Sequence, residues 1–469
     1  MIHLAIQKGY VPGALSISEA VELAEELGLP FSEVVIAEAM HEEGLSYDEV
    51  LDRVEAAFQH NLSAVEIGLT SGKSFLMGET ARELAENDFA KKLVGDDFLN
   101  KALVYTLAAQ IGNHAIGLQP CAGTGDACPY TGLFKAMGEC YPREKTLKAA
   151  AAMLKVGTIF REGKVSTGCN MEGFGAGAAA CAAALVELKG GRASAVERAV
   201  TLAISPTIAN PCTPRVMVAG LCSTHICGAV LIGNLAAGLA VYTNIPVLVP
   251  ADVMIAMAAE IHTVSAKHVV PVVNKYMRSF FKTNAAVEEY ISLEVKRQEQ
   301  ALAAETVQGA REKMRELAGK ANPIVKPFGQ AVVGGSSQAV GSPTNAARVA
   351  HYLAKGTVTK VIVELYPELF ARRGINLPGI LMGACFGAHT GDGQMYHEVM
   401  DKVKAAGITV EVREVDEPQL QRITVFATEG HAMVESLNRG GGRIAIRSAL
   451  PSTEEALAAA QALGIVVTD

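Results

Sequence analysis

The sequence predicts a mainly α domain of buried Ala/Gly-rich helices over residues 1–322. A smaller α/β domain, an α+β sandwich, follows over 323–469. Three observations carry this. Half of the 469 residues are hydrophobic, yet only 5% are aromatic and none is Trp. Small side chains must then fill the core, which favours close-packed helices over an all-β fold. Apolar residues recur at helical spacing until Ala321-Asn322-Pro323 breaks the pattern. Beyond it, β-branched alternating runs are separated by helical stretches, as in a sheet covered by helices. The length is ample for two cores.

In chain order, SISEAVELAEELGLP offers Ser16 and Ser18 as caps and Gly28 then Pro30 as a stop. A second amphipathic helix follows Ser46, and SGKSFLMGETARELAE reads as a loop and short helix. Residues 117–134, GLQPCAGTGDACPYTGLF, form a Gly/Pro-rich loop entering a helix. It lacks the Lys-Ser/Thr ending of a P-loop and the spacing of the dinucleotide fingerprint. A phosphate cradle and a plain tight turn both remain open for it. Residues 149–157, 175–188, 194–204 and 251–282 read as helices, and 285–320 as one long charged, solvated helix. Four strands are expected after the break, in TVTKVIVELY, GITVEVREV, RITVFATE and GGGRIAIRSA, with a further strand, a Gly/Ser loop and a helix in residues 329–356.

The net charge of −8, with no Lys/Arg cluster, argues against nucleic-acid binding. Nine cysteines, an odd number in a long chain without a secretory signal, point to a reducing cytoplasm. Residues 216–251 carry no Asp, Glu, Lys or Arg, which is long enough to span a bilayer. They also hold Cys222, Ser223, Thr224, His225, Cys227, Asn234 and Asn244, with no flanking charge asymmetry or aromatic belt. A helix buried all round inside a soluble bundle is expected, and no membrane partner.

Five cysteines fall within residues 166–230, at 169, 181, 212, 222 and 227. Cys169, Cys212 and Cys222 each lie within two residues of Gly or Pro, where the chain turns and side chains can converge. Cys181 sits in an Ala run and reads as a buried small apolar residue. The spacing is not that of a ribbon, a finger or a ferredoxin. From the residues alone, an assembled thiolate site and a set of buried structural cysteines both stand.

The stretch GCNMEGFGAGAAACAAAL resembles the cysteine-bearing segment of the iron–sulfur-dependent L-serine dehydratases, with Cys169 and Glu172 in register. A later pair of cysteines around a Pro-containing loop, Cys212 and Cys222, is similar to that family's other two cluster ligands. Their separation is one residue shorter than the family pattern, so Cys227 is a substitute. The start of the chain, from SEAVELAEELGLP, resembles the start of the family's catalytic module. SSQAVGSPTNAA, VIVELYPELF and GGGRIAI resemble its small module, so the resemblance covers nearly the whole chain, catalytic module first. It implies a [4Fe-4S] cluster held by Cys169, Cys212 and Cys222, whose fourth iron meets a small-molecule substrate. It also implies a homodimer. Thr124 and Gly125 of the 117–134 loop, with Ser336, Ser337 and Thr344, would hold the substrate carboxylate. A helix N-cap is the plainer role for the Ser/Gly stretch.

Two departures follow. The small-module histidine of the family is Gln338 here, and its second histidine falls near Ile375. No cysteine ends the chain. Eliminating a β-hydroxyl needs a Lewis acid for the leaving group and a base for the α-proton. Glu172 and His225 are the candidate bases, against a core histidine as the plain reading of His225. The expected activity is loss of water, then ammonia, from a small β-hydroxy amino acid such as L-serine. A lyase for another β-substituted acid, such as a cysteine desulfidase or a hydroxy-acid dehydratase, is the alternative. So is a non-catalytic thiolate metal-binding protein. Cys140, Cys181 and Cys385 are expected to be ordinary buried or partly buried thiols; Cys121 and Cys128 lie in the loop but are not family ligands.

Overall fold

The computed structural model describes residues 1–75, 77–116, 127–162, 172–210, 221–280, 284–321, 323–325, 341–440 and 442–469. At some helical positions, Glu172 and Cys222 among them, the backbone alone is described. The chain divides into two compact units, Met1–Ala310 and Arg311–Asp469. The division falls twelve residues before the expected boundary at 322/323 and lies inside a helix. That helix does end at Lys320, ahead of the Ala321-Asn322-Pro323 break.

The described elements of the first unit are helical. They are α1 (Ile2–Gln7), α2 (Ile17–Leu27), α3 (Phe31–Glu43), α4 (Tyr47–Thr70), α5 (Thr80–Phe89), α6 (Asp97–Ile116), α7 (Cys128–Cys140) and α8 (Arg143–Glu162). A π-helical turn, Glu172–Ala176, leads into α9 (Gly177–Leu188). Then come α10 (Ala193–Ile204), α11 (Leu221–Tyr242), α12 (Ala251–Met277), α13 (Ala285–Glu288) and α14 (Leu293–Lys320). Local chemistry sets several ends. Ser16 and Ser46 each close a capping box with the Glu three residues on, Glu19 and Glu49. Gly28 ends α2 in the left-handed region at φ 66°, which a side chain would disfavour. The long helix expected over 285–320 is two, because the chain leaves the helix after Glu288 and Ser292 then caps Val295 N–H.

The core of this unit is built from small residues. In α9 every residue but Glu187 is buried, and the eight that precede Leu185 are seven Ala or Gly and Cys181. Such a helix lets neighbours approach closely. The α4–α6 pair uses the same device: a Cβ on Gly112 would stand 2.0 Å from Ala64 O, and one on Gly68 2.1 Å from Ala108 O. Larger side chains fill the gaps, as in the stacked rings of Phe58 and Phe134, 4.1 Å apart.

Within α11, residues Ser223–Tyr242 are long and apolar enough to cross a membrane by length and composition, but half of that window is buried in the bundle. The expectation of a helix buried all round is corrected: Leu231, Leu235 and Tyr242 are exposed. The other face packs on α9 and α10.

The second unit holds α15 (Ser342–Leu353), β1 (Val358–Leu365), α16 (Pro367–Ala371), α17 (Arg373–Phe386) and α18 (Gly393–Ala405). It continues with β2 (Thr409–Glu414), β3 (Leu420–Ala427), β4 (Gly430–Asn438), β5 (Ile444–Leu450) and α19 (Thr453–Ala462). The five strands form one sheet in the order β2-β1-β3-β4-β5. Only β1 and β2 are parallel. Val361, Val363, Ile423, Val425 and Val434 share a core with Ala346, Ala347, Val349 and Ala350 of α15. Across the strands, Arg422 lies opposite Glu364 and Glu435 and bonds both. The mainly α unit and the smaller α/β unit are thus present. β4 is an addition to the four expected strands; the strand expected near residue 331 lies outside the described residues.

Candidate functional site

The region from which the predicted site residues come is organised by two helices that run side by side. The ring of Phe174, in the π-helical turn before α9, lies 4.9 Å from that of His225 in the second turn of α11. Further along, a Cβ on Gly233 of α11 would lie 2.8 Å from Cys181 Cβ and 2.9 Å from Ala178 O of α9. Later residues of one helix meet later residues of the other, so the two are parallel and start at the same end of the bundle. Cys169 lies three residues before the π-helical turn, and Cys222 lies in the first turn of α11. The first turn of α11, with Cys222, therefore lies at the end where the π-helical turn begins.

Of the predicted residues, Cys169, Cys212, Thr124, Gly125, Ser336 and Ser337 lie outside the described residues, as do Cys121 and Gln338. Glu172 opens the π-helical turn and Cys222 opens α11, each described by backbone alone. His225 is buried against Phe174. Thr344 is fully buried in the first turn of α15. Ile375 is exposed on α17.

The cysteines with described side chains, Cys128, Cys140, Cys181, Cys227 and Cys385, form no disulfide. Cys227 points at α6, donating to Leu103 O at 3.6 Å, and burial pushes its thiol up to about 12. Burial also pushes Cys385 up to about 12, and raises Cys181 strongly. Such thiols are protonated, apolar fillers as they stand. Cys140 differs from the buried or partly buried thiol expected: it ends α7 and is exposed. Among the described residues no group of three or more His, Cys, Asp and Glu side chains is placed to hold a metal ion.

One polar assembly was not anticipated from the sequence. Cys128 Sγ donates to Gln110 Oε1 at 2.9 Å. Gln110 Nε2 meets His114 Nε2 at 3.1 Å, and His114 Nδ1 meets Ser74 Oγ at 2.6 Å. The amide can only donate at Nε2, so His114 accepts there and carries its proton on Nδ1. Burial lowers the imidazole below its ordinary value, which keeps it neutral and consistent with that tautomer. The chain of groups borders the two ends of the 117–126 segment, since α6 stops at Ile116 and α7 starts at Cys128. The i, i+4 spacing of Gln110 and His114 was readable as one helix face; Ser74 and Cys128 come from other segments and carried no such signal.

A helical unit with a parallel cysteine-bearing helix pair, joined in one chain to a five-stranded α/β unit, is the class that the fold defines. No protein-family model matches the chain, and the search of curated proteins gave no match.

Proposed function

We propose that the chain is a cytoplasmic [4Fe-4S]-dependent lyase that eliminates water, and then ammonia, from a small β-hydroxy amino acid such as L-serine. The observation that supports this best is the parallel pairing of the π-turn and α9 with α11. It starts the two cysteine-bearing elements at one end of the bundle, as an assembled soft-ligand site requires. In this reading Cys169, Cys212 and Cys222 hold the cluster. Cys227 is the substitute for the third ligand in this reading; its buried thiol donates to Leu103 O of α6.

When bound, the cluster would supply a Lewis-acidic iron for the leaving hydroxyl. The chain's own residues do the rest. Glu172 or the His225 imidazole takes the α-proton. Phe174 packs on the His225 ring, which limits its rotation and excludes water from that face. Thr124, the Gly125 backbone, Ser336, Ser337 and Thr344 are the proposed contacts to the substrate carboxylate. A second reading, a lyase for a β-thiol acid, draws on Ile375. An alkyl side chain stands where the resemblance implies a histidine, and it can neither give nor take a proton.

The test is turnover by the anaerobically purified chain, with L-serine and L-cysteine offered separately and the keto acid product measured. Activity should decay in air and return with ferrous iron and thiol. Full turnover that is indifferent to air and chelators would sink the open-iron mechanism, and turnover of L-cysteine alone would select the second reading.

A further inference from the structure

The second unit buries an arginine without an acid. Arg348, on α15, is 7% exposed, and among the described residues its one hydrogen bond runs from the guanidinium to Asn345 Oδ1 at 3.2 Å, through Nη1. Nε is fully buried and, among the described residues, has no partner. The edge formed by Nε and Nη2 is thus open, and that edge is the fork that accepts a carboxylate with two parallel bonds. No Asp or Glu occurs from residue 317 to 363. Every acid of this unit lies among the described residues, and none pairs with Arg348. Burial alone acts on the guanidinium, pulling it below its ordinary value. A buried cation left unpaired is costly, and such groups are normally paired.

Neighbouring residues fix where that edge lies. Arg348 reaches back over the first turn of α15, as long helical side chains do. The helix starts at Ser342, and its N-cap, Gly341, offers no side-chain cap. Asn345 Nδ2 donates to Gly442 O at 2.9 Å and ties that turn to the loop before β5. The Arg348 stem passes α17 where Gly383 leaves room: a Cβ there would stand 3.1 Å from Arg348 Cγ.

The geometry points to a binding site for a small carboxylic acid in the second unit, its carboxylate lying across the Nε–Nη2 edge of Arg348 near the start of α15. The acid is an amino acid of the substrate class or a free organic acid; both present the same carboxylate. The site stands whether or not the lyase reading holds, because its readout is binding.

The experiment is calorimetric titration of the full chain, prepared without iron, with acetate and with L-serine at constant ionic strength. Saturable binding of either is expected, with L-serine tighter if the ligand is an amino acid. Arg348→Gln should weaken it by about tenfold or more, and Arg348→Lys, which keeps the charge but lacks the fork, by a similar factor. Arginine-selective nitrogen labelling of the unaltered chain gives a readout that needs no variant: one guanidinium Nε–H resonance should shift as acetate is added. No binding of either acid, no shifted resonance, or equal binding by a folded variant would overturn the proposal.

Discussion

His114 is held by partners that favour its neutral form. Gln110 donates to Nε2, so a second proton there would break that contact. Its folded pKa lies below the value of about 6.5 expected in the unfolded chain. As pH falls, the unfolded chain takes up the proton first. Stability is therefore full above about 6.5 and is lost as pH falls from there toward the folded value. Thermal midpoints measured across that window should decline on acidification. The decline should be shallower in His114→Gln; an identical slope in both proteins would contradict the assignment. A buried ion pair makes a larger prediction. Lys155 Nζ lies 2.7 Å from Glu38 Oε2, with both side chains largely buried, and Glu38 also accepts from Leu15 N–H at 2.8 Å. Lys155→Met leaves the carboxylate buried without its cation. Denaturant unfolding should show a loss of about 3–5 kcal/mol. Neither group was legible in the sequence, because each depends on a partner brought from another segment.

At the scale of elements, what could be read locally was read. The boxes Ser16–Glu19 and Ser46–Glu49 lie within four residues of chain and start the helices that they announce. β4 was missed for the converse reason. The hairpin before it turns on Thr428-Glu429, with no Asn-Gly or Asp-Gly signal, and His431, Glu435 and Ser436 break its apolar pattern. Long-range pairing with β3 and β5 makes it a strand. The close contact of α4 with α6 is equally non-local, and it can be tested. Gly112→Ala would push a methyl group into Ala64 O, with backbone on both sides and no flexible side chain to yield. Separating the helices should cost about 1–3 kcal/mol in unfolding experiments. Gly138, which meets nothing within 4 Å, is the control, and alanine there should be neutral or slightly stabilising. Equal effects at the two positions would contradict the packing described.

For the molecule as a whole, composition was enough to separate a helical unit from an α/β unit, since Ala-rich and β-branched stretches segregate on either side of residue 322. It could not locate the division inside α14, which depends on which contacts each half of the helix makes. The sequence offers the candidate site only as cysteines near Gly and Pro; the parallel run of the π-helical turn and α9 with α11 depends on contacts between distant segments and was not readable there. The central claim is that Cys169, Cys212 and Cys222 hold a cluster, while Cys227 faces α6 as a bystander. The most direct test is iron and labile-sulfide content of the anaerobically purified chain and of two variants. The unaltered chain and Cys227→Ser should each carry about four irons and four sulfides, and Cys222→Ser should lose them. Zinc without sulfide in the unaltered chain, or a full cluster in Cys222→Ser, would contradict the account.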